Sequence, residues 1–307
     1  MSTVIDRQRW LAERRHGIGG SDAPAVIGIS PWRTPLDVYL EKRGESPEQE
    51  QSVRMAVGLE LEPMLLRYAE GRLGVAIGNR QEVAVHPKYD WMRATLDGRV
   101  CGAVIEAKTT SSTEGWGEDG SGEVPIHYAA QVQHQMAVTG MALAYMPVLF
   151  NLSEMRLYIV ERDQETIDAM IDIEARFWQQ VLDGTPPEPR TAADVRRLFS
   201  NDDGGEIAAD HLLLERIDRL REVRLLIRDA EAEEDRIKDE VARYMGSKAV
   251  LSHPDTGKPV ITWKAAKPTV RTDWCAMAKH LAGGEIGKDL LDLFAQTTPG
   301  SRRFLIK

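Results

Sequence analysis

At 307 residues the chain can bury a sizeable core and hold one large domain or two modest ones. Its formal net charge of −9 argues against a protein that coats nucleic acid through bulk electrostatics, while leaving room for a local basic groove. No apolar run reaches the ~20 residues that cross a bilayer, and the polar start MSTVIDRQRW is not a signal peptide, so a soluble cytoplasmic protein is expected. Two cysteines far apart in sequence, Cys101 and Cys275, indicate neither a disulfide framework nor a zinc or iron–sulfur centre, and each is expected to be a small buried apolar residue.

Residues 7–16 read as an arginine-rich helix that runs into Gly17-Ile18-Gly19-Gly20-Ser21-Asp22 and the apolar run Ala23 to Ile29. A glycine loop ending in Ser-Asp predicts an N-cap and a short helix, whose free N–H groups, with Arg14, Arg15 and Ser21 nearby, would form a phosphate pocket. A dinucleotide fingerprint is a poor fit, because the third glycine is missing and the loop follows a helix where a strand is needed. The glycines could also serve only a tight turn. Leu36 to Arg43 predicts a helix closed by Gly44, and the charged, Pro-containing stretch from Glu45 to Gln51 a surface loop. A further helix is expected to begin at Val57 to Pro63, with Glu62 in its first turn as a candidate carboxylate.

Strands are expected over 81–85 and 91–96, leading into ATLDGRVCGAVIEAKTT. Here two short strands joined by a turn-prone Gly98 to Gly102 would bring Asp97 beside Glu106 and Lys108, since alternate strand residues share a face. Two acids and an amine suit a divalent cation with an ammonium near its water. They would equally suit a solvated ion-pair edge, and the hairpin alone does not decide.

The Gly-, Ser- and acid-rich segment 110–125 is expected to form a mobile loop over this site, and Ile126 to Thr139 a helix. Val132 and Met136 would mark its buried side, with Tyr128, Gln131 and Gln135 on another face. His127 and His134 show no ligand spacing and read as unremarkable. A strand at 155–160 and an amphipathic helix at 164–182 follow, giving an α/β sandwich with a mixed sheet. The Pro- and Gly-rich stretch 184–205 separates a core of 1–190 from an extension of 205–307. In that extension the pattern predicts one long charged helix (207–245), a hairpin around Pro254 to Gly257, a small helical stretch (274–294) and a basic tail, Ser301 to Lys307.

Trp10, Arg14, Gly17 to Asp22, Gly58, Glu62, Asp97, Glu106-Ala107-Lys108 and Gln131-Val132-Gln133 stand in one order, and in that order the chain resembles the YqaJ-like viral recombinase family. That family is similar to lambda exonuclease and belongs to the PD-(D/E)xK nucleases, which share a restriction-endonuclease-like core. The resemblance covers roughly residues 5–185. It implies that Asp97, Glu106 and the Ala107 carbonyl ligate Mg²⁺ or Mn²⁺, with Glu62 at a second metal position and Lys108 orienting or activating the attacking water. It further implies a 5′-phosphate pocket on Arg14 and Ser21, with Arg15 less secure, Thr95 as the hydroxyl residue two before the aspartate, and Gln131 helping to hold the substrate end. Leu96 stands where the motif's name has proline.

The activity implied is 5′-to-3′ digestion of double-stranded DNA ends to 5′-mononucleotides, leaving 3′ single strands for phage-type recombination. A homotrimeric ring and a single-strand annealing partner are implied likewise. The alternatives are an endonuclease with the same chemistry and a non-catalytic DNA-end or recombinase-binding module.

Overall fold

The computed structural model describes residues 12–46, 52–269, 271, 273–281 and 283–295. Trp10 and the Ser301 to Lys307 tail lie outside them, as do parts of the 7–16 helix and the 45–51 loop. The chain divides into two compact units, Met1–Leu198 and Phe199–Lys307.

In the first unit a one-turn helix α1 (Ala23–Val26) follows the glycine loop, and α2 (Pro35–Arg43) is framed by local signals. Thr34 and Asp37 form a reciprocal capping box at its start, and Gly44 closes it with φ 72°. Helix α3 (Val53–Leu73) starts earlier than its sequence suggests, capped by Ser52, so Glu62 stands mid-helix and not in the first turn. Pro63 misleads because it is favoured at helix starts, yet here it lies inside the helix, where it loses its own N–H bond and its ring crowds the Leu59 carbonyl.

Strands β1 (Glu82–Val85) and β2 (Arg93–Leu96) form a two-stranded antiparallel sheet. The main sheet holds β3 (Gly98–Val100), β4 (Ala103–Ile105), β5 (Lys108–Thr110), β6 (Leu143–Phe150) and β7 (Glu154–Glu161). The expected Gly98 to Gly102 turn is shorter: Gly98 already belongs to β3, and only Cys101-Gly102 turns, with φ of 42° and 77°. Cys101 and Cys275 are both exposed, correcting the buried reading; Cys101 sits at this hairpin tip. Strands β4 and β5 occupy one lane, both parallel to β6, which pairs antiparallel with β7 along its full length. The sequence reading names no strand at β6, whose apolar run, burying both faces, lacks alternation.

Helix α4 (Ile126–Thr139) connects β5 to β6 and packs on one face of the sheet, where Val104, Met146 and Val148 meet Val132 and Met136. On the other face Ile105 and Leu157 meet Leu66 and Ala69 of α3. Burying each such aliphatic side chain contributes about 1.5–3 kcal/mol. The period of two that sends Val104 toward α4 sends Glu106 the same way. Helix α5 (Gln164–Asp183) closes a third cluster with Phe177 and Val181 against Ile18, Leu36 and Tyr39. Helix α6 (Ala192–Leu198) is tied back by buried Asp194, which accepts from Thr34 and caps Arg190 and Thr191. The 110–125 segment is anchored on the described surface: Trp116 packs against Phe150 and Tyr158, and Asp119 accepts from the Leu157 amide.

The second unit contains α7 (His211–Met245), capped by Asp210, the hairpin β8 (Val250–Ser252) and β9 (Pro259–Thr262), then α8 (Trp274–Leu281) and α9 (Lys288–Leu293). No described helix is long and apolar enough to cross a membrane.

Candidate active site

Asp97 is the single residue between β2 and β3, where the chain leaves the small sheet for the large one. Its Oδ2 accepts from the Ala107 amide at 2.8 Å. The Glu106 amide takes the β6 side of the strand, so the Ala107 amide points the other way, toward Asp97. The Glu106 amide still donates to the Tyr145 carbonyl, but the next ladder donor would be the amide of residue 147, which is Pro147. Glu106 and Ala107 therefore leave the ladder beside Asp97.

Glu106 is buried, 5% exposed, and both its oxygens are held. Oε1 accepts from Lys108 Nζ at 2.5 Å and from Gln131 Nε2 at 2.5 Å, and Oε2 accepts from Gln135 Nε2 at 2.6 Å. Gln131 and Gln135 are one helical turn apart on α4, so the helix presents two amides to one carboxylate. The Lys108 ammonium also lies over the Tyr128 ring, 5.3 Å from its centre. Burial works against its charge, but Glu106 and then Asp97 outweigh that and raise its pKa, so Lys108 keeps its proton. Asp97 moves the other way: burial, then the like charge of Glu106, push its carboxyl up to about 8 against the pull of Lys108.

Two acids in a partly dry place, one of them reluctant to ionise beside the other, with a single ammonium on Glu106, form an oxygen-rich donor set that fits a hard divalent cation. Among the described residues no three His, Cys, Asp or Glu side chains converge as a cage. Glu62 stands apart from Asp97 and Glu106, accepting from Gln81 Nε2 at 2.8 Å, though near enough to contribute to the raised Asp97 carboxyl.

The glycine loop is held against β2: the Ile18 amide donates to the Trp91 carbonyl and the Arg93 amide to the Ile18 carbonyl. Asp22, at the loop's end, is fully buried and does not cap α1. It accepts from the Gly19 amide, Arg14 at 2.7 Å, Arg33 at 3.1 Å and Lys42 at 2.6 Å. Burial alone would raise its pKa, but Lys42, Arg14 and Arg33 hold it well below the usual carboxylate range. Glu41 joins the cluster through Arg14 and Arg33. Arg14, expected to offer its charge to a phosphate, is therefore already compensated. Asp22 and then Glu41 raise its pKa further.

A cleft of about 210 Å³ brings together Arg14, Ser21, Thr95, Asp97, Glu106 and Gln131, all expected from the sequence, with Gln135, Lys42 and Arg93, which were not named as site residues. Ser21 and Thr95 are exposed. Arg15 is exposed and turned away, its guanidinium over Gly44. A larger groove in the second unit, about 490 Å³ between α7 and β9, is lined mainly by Ile237, Val241, Met245 and Ile261, and its Glu234 and Lys238 are exposed and paired with each other.

His134 is not the unremarkable residue its sequence context suggests. Fully buried, its Nδ1 lies 3.0 Å from both Glu174 oxygens and its Nε2 3.0 Å from the Arg93 carbonyl. Burial lowers its pKa, but Glu174 and the Arg93 carbonyl raise it on balance, so both ring nitrogens donate. Its only sequence signal is its place next to Gln135 on α4.

A mixed sheet flanked by helices, with buried acids and a lysine at a break in its parallel lane, defines a mixed α/β protein with a candidate active site. Residues 9–142 match the YqaJ-like viral recombinase domain. Over 194 residues it is 36% identical to the YqaJ protein of Bacillus subtilis (strain 168), covering 61% of this chain and spanning 60% of that relative's length. Among solved structures it is similar to an alkaline exonuclease (LHK-Exo) from Laribacter hongkongensis, at 20% identity and a TM-score of 0.49 over 58% of this chain and 94% of the other. It is also similar to a phage related exonuclease from Haemophilus somnus 129PT, at 12% identity and a TM-score of 0.42 over 55% and 96%.

Proposed function

We propose that the first unit is a divalent-metal-dependent DNA nuclease, acting as a 5′-to-3′ exonuclease on double-stranded ends. The observation that carries this reading is the Asp97, Glu106 and Lys108 constellation, tied by Gln131 and Gln135 where Pro147 breaks the ladder. The YqaJ-like viral recombinase domain over residues 9–142 supports it.

Asp97, Glu106 and the Ala107 carbonyl would hold Mg²⁺ or Mn²⁺, with Glu62 close by. When bound, the ion would polarise the scissile phosphate and favour ionisation of water near neutral pH. Lys108, whose ammonium Glu106 and Asp97 favour, orients or activates the attacking water and offsets charge growing on the phosphate. Gln131 and Gln135 fix the Glu106 rotamer and occupy its outer lone pairs. Ser21 and the glycine loop, braced by Arg14, Asp22 and Lys42, face the strand end at the cleft rim, with Thr95 opposite. Phosphate contacts of this kind select an end without reading bases.

The test is Mg²⁺-dependent release of label from linear duplexes labelled at one 5′ or one 3′ end, beside a closed circular duplex. Early release of 5′ label as mononucleotide, an intact circle and no reaction in EDTA are expected. A nicked circle would replace the exonuclease by an endonuclease, and no metal-dependent cleavage of any substrate would overturn the nuclease itself.

A further inference from the structure

The cleft contains three cations, and two of them are spent. Arg14 and Lys42 both bind Asp22. The third, Arg93, has no carboxylate within ion-pair distance among the described residues, and its Nε is buried without any hydrogen-bond partner. Leaving a guanidinium N–H buried and unpaired costs a desolvation penalty larger than for a neutral group, and native proteins keep such groups where a ligand completes them.

The surroundings of Arg93 are built. Its amide donates to the Ile18 carbonyl at 2.9 Å, and its carbonyl accepts from His134 Nε2 at 3.0 Å. The His134 ring is held in turn by buried Glu174. The side chain then passes over Gly17. A Cβ on residue 17 would stand 3.0 Å from Arg93 Cδ and 2.3 Å from the Trp91 carbonyl oxygen, so any other residue there would displace both strand and arginine. A fixed backbone, a glycine that makes room and a buried guanidinium N–H without a partner describe a cradle for an anion.

We propose that Arg93 binds a phosphate group of the DNA strand lying in the cleft, supplying the uncompensated positive charge that Arg14 no longer offers. This rests on the nuclease reading only for the identity of the guest; the recognising chemistry is an arginine fork on phosphate oxygens. The Ile18 and His134 bonds hold the strand from which it projects, and the arginine opens that strand, four residues before Asp97, which follows its end.

The test is binding of duplexes in EDTA, where no cleavage proceeds, by fluorescence anisotropy over a range of salt. Three substrates are compared: 5′-phosphorylated ends, 5′-hydroxyl ends and a closed circle competing for the same protein. Arg93→Gln and Arg93→Met, which keep the unbranched stem, are expected to bind about tenfold more weakly. The slope of log Kd against log salt should fall by about one. Arg93→Lys, which keeps charge and stem, is expected to retain the wild-type slope. A loss confined to 5′-phosphorylated ends identifies a terminal phosphate, and an equal loss on all three an internal phosphodiester. Wild-type affinity and slope in either uncharged variant, or a lysine variant that loses the slope as fully as they do, would overturn the proposal. Cleavage is scored separately with Mg²⁺. A wild type that binds through Arg93 yet cuts nothing removes the nuclease reading and leaves Arg93 standing. A wild type that cuts, with Arg93 variants unaltered in affinity and slope, removes Arg93 alone.

Discussion

Gln135 donates its amide nitrogen to Glu106 Oε2 at 2.6 Å, which turns its own carbonyl oxygen to a buried place without a partner. The glutamate thus dictates how the glutamine lies, and the glutamine in return fixes the glutamate's rotamer. Such an outer partner acts on the reaction through the residue it holds. Gln135→Ala and Gln131→Ala are each expected to lower cleavage about 10–100-fold, against a loss of at least that size in Glu106→Ala. Turnover at saturating Mg²⁺ checks this, and full turnover in Gln135→Ala would show that Glu106 needs no such support.

Asp97 and Glu106 oppose each other electrostatically in the protein without metal, as the raised Asp97 carboxyl shows. Asp97→Asn relieves the repulsion while keeping the acceptor for the Ala107 amide. The variant is expected to be inactive yet more heat-stable than wild type in EDTA at pH 8 and above. Each kcal/mol relieved should appear as about 2–4 °C in Tm. Saturating Mg²⁺ should then stabilise wild type, by about 2.7 kcal/mol at a hundred times its Kd, and the variant far less. Equal Mg²⁺-induced shifts in both would place the metal elsewhere.

Asp22 sits among Arg14, Arg33 and Lys42, and Lys42 is as deeply buried as the aspartate. Asp22→Ala leaves that lysine with the Arg14 carbonyl as its remaining close acceptor at 2.8 Å. A loss of about 3–5 kcal/mol is expected. Urea denaturation reads it directly, and a loss under about 1 kcal/mol would mean that water replaces the carboxylate at little cost.

Glu174 and the Arg93 carbonyl favour a charge on His134 inside the core. Because its folded pKa lies above the ordinary 6.5, the stabilisation is complete below pH 6.5 and is lost as pH rises through the raised value. Wild-type Tm should therefore fall from pH 6.5 upward more steeply than that of His134→Gln, which cannot titrate. Parallel curves would show that the ring stays in one protonation state throughout.

Much of the frame is local and could be read along the chain. Thr34 with Asp37 and then Gly44 bound α2 by capping chemistry, and the apolar period of α4 gives its limits at Ile126 and Thr139. The period of two also puts Glu106 beside Lys108, where they meet at 2.5 Å. The same local logic failed at Pro63, whose preference for helix starts is weaker than the tertiary packing of Leu65, Leu66 and Ala69 that carries α3 through it.

By itself, then, the sequence determined which residue types stand at which strand and helix positions: the acids, the lysine, the paired glutamines and the glycine loop. Tertiary structure decided which of them are free to act. Pro147, forty residues from Ala107, gives the Glu106 carbonyl no ladder donor, Asp97 folds back to take the Ala107 amide, and Asp22 takes the charge of Arg14 that the loop seemed to reserve for a ligand. Charge compensation and ladder breaks join residues far apart in the chain, so no local pattern could show that the cleft's uncommitted arginine is Arg93.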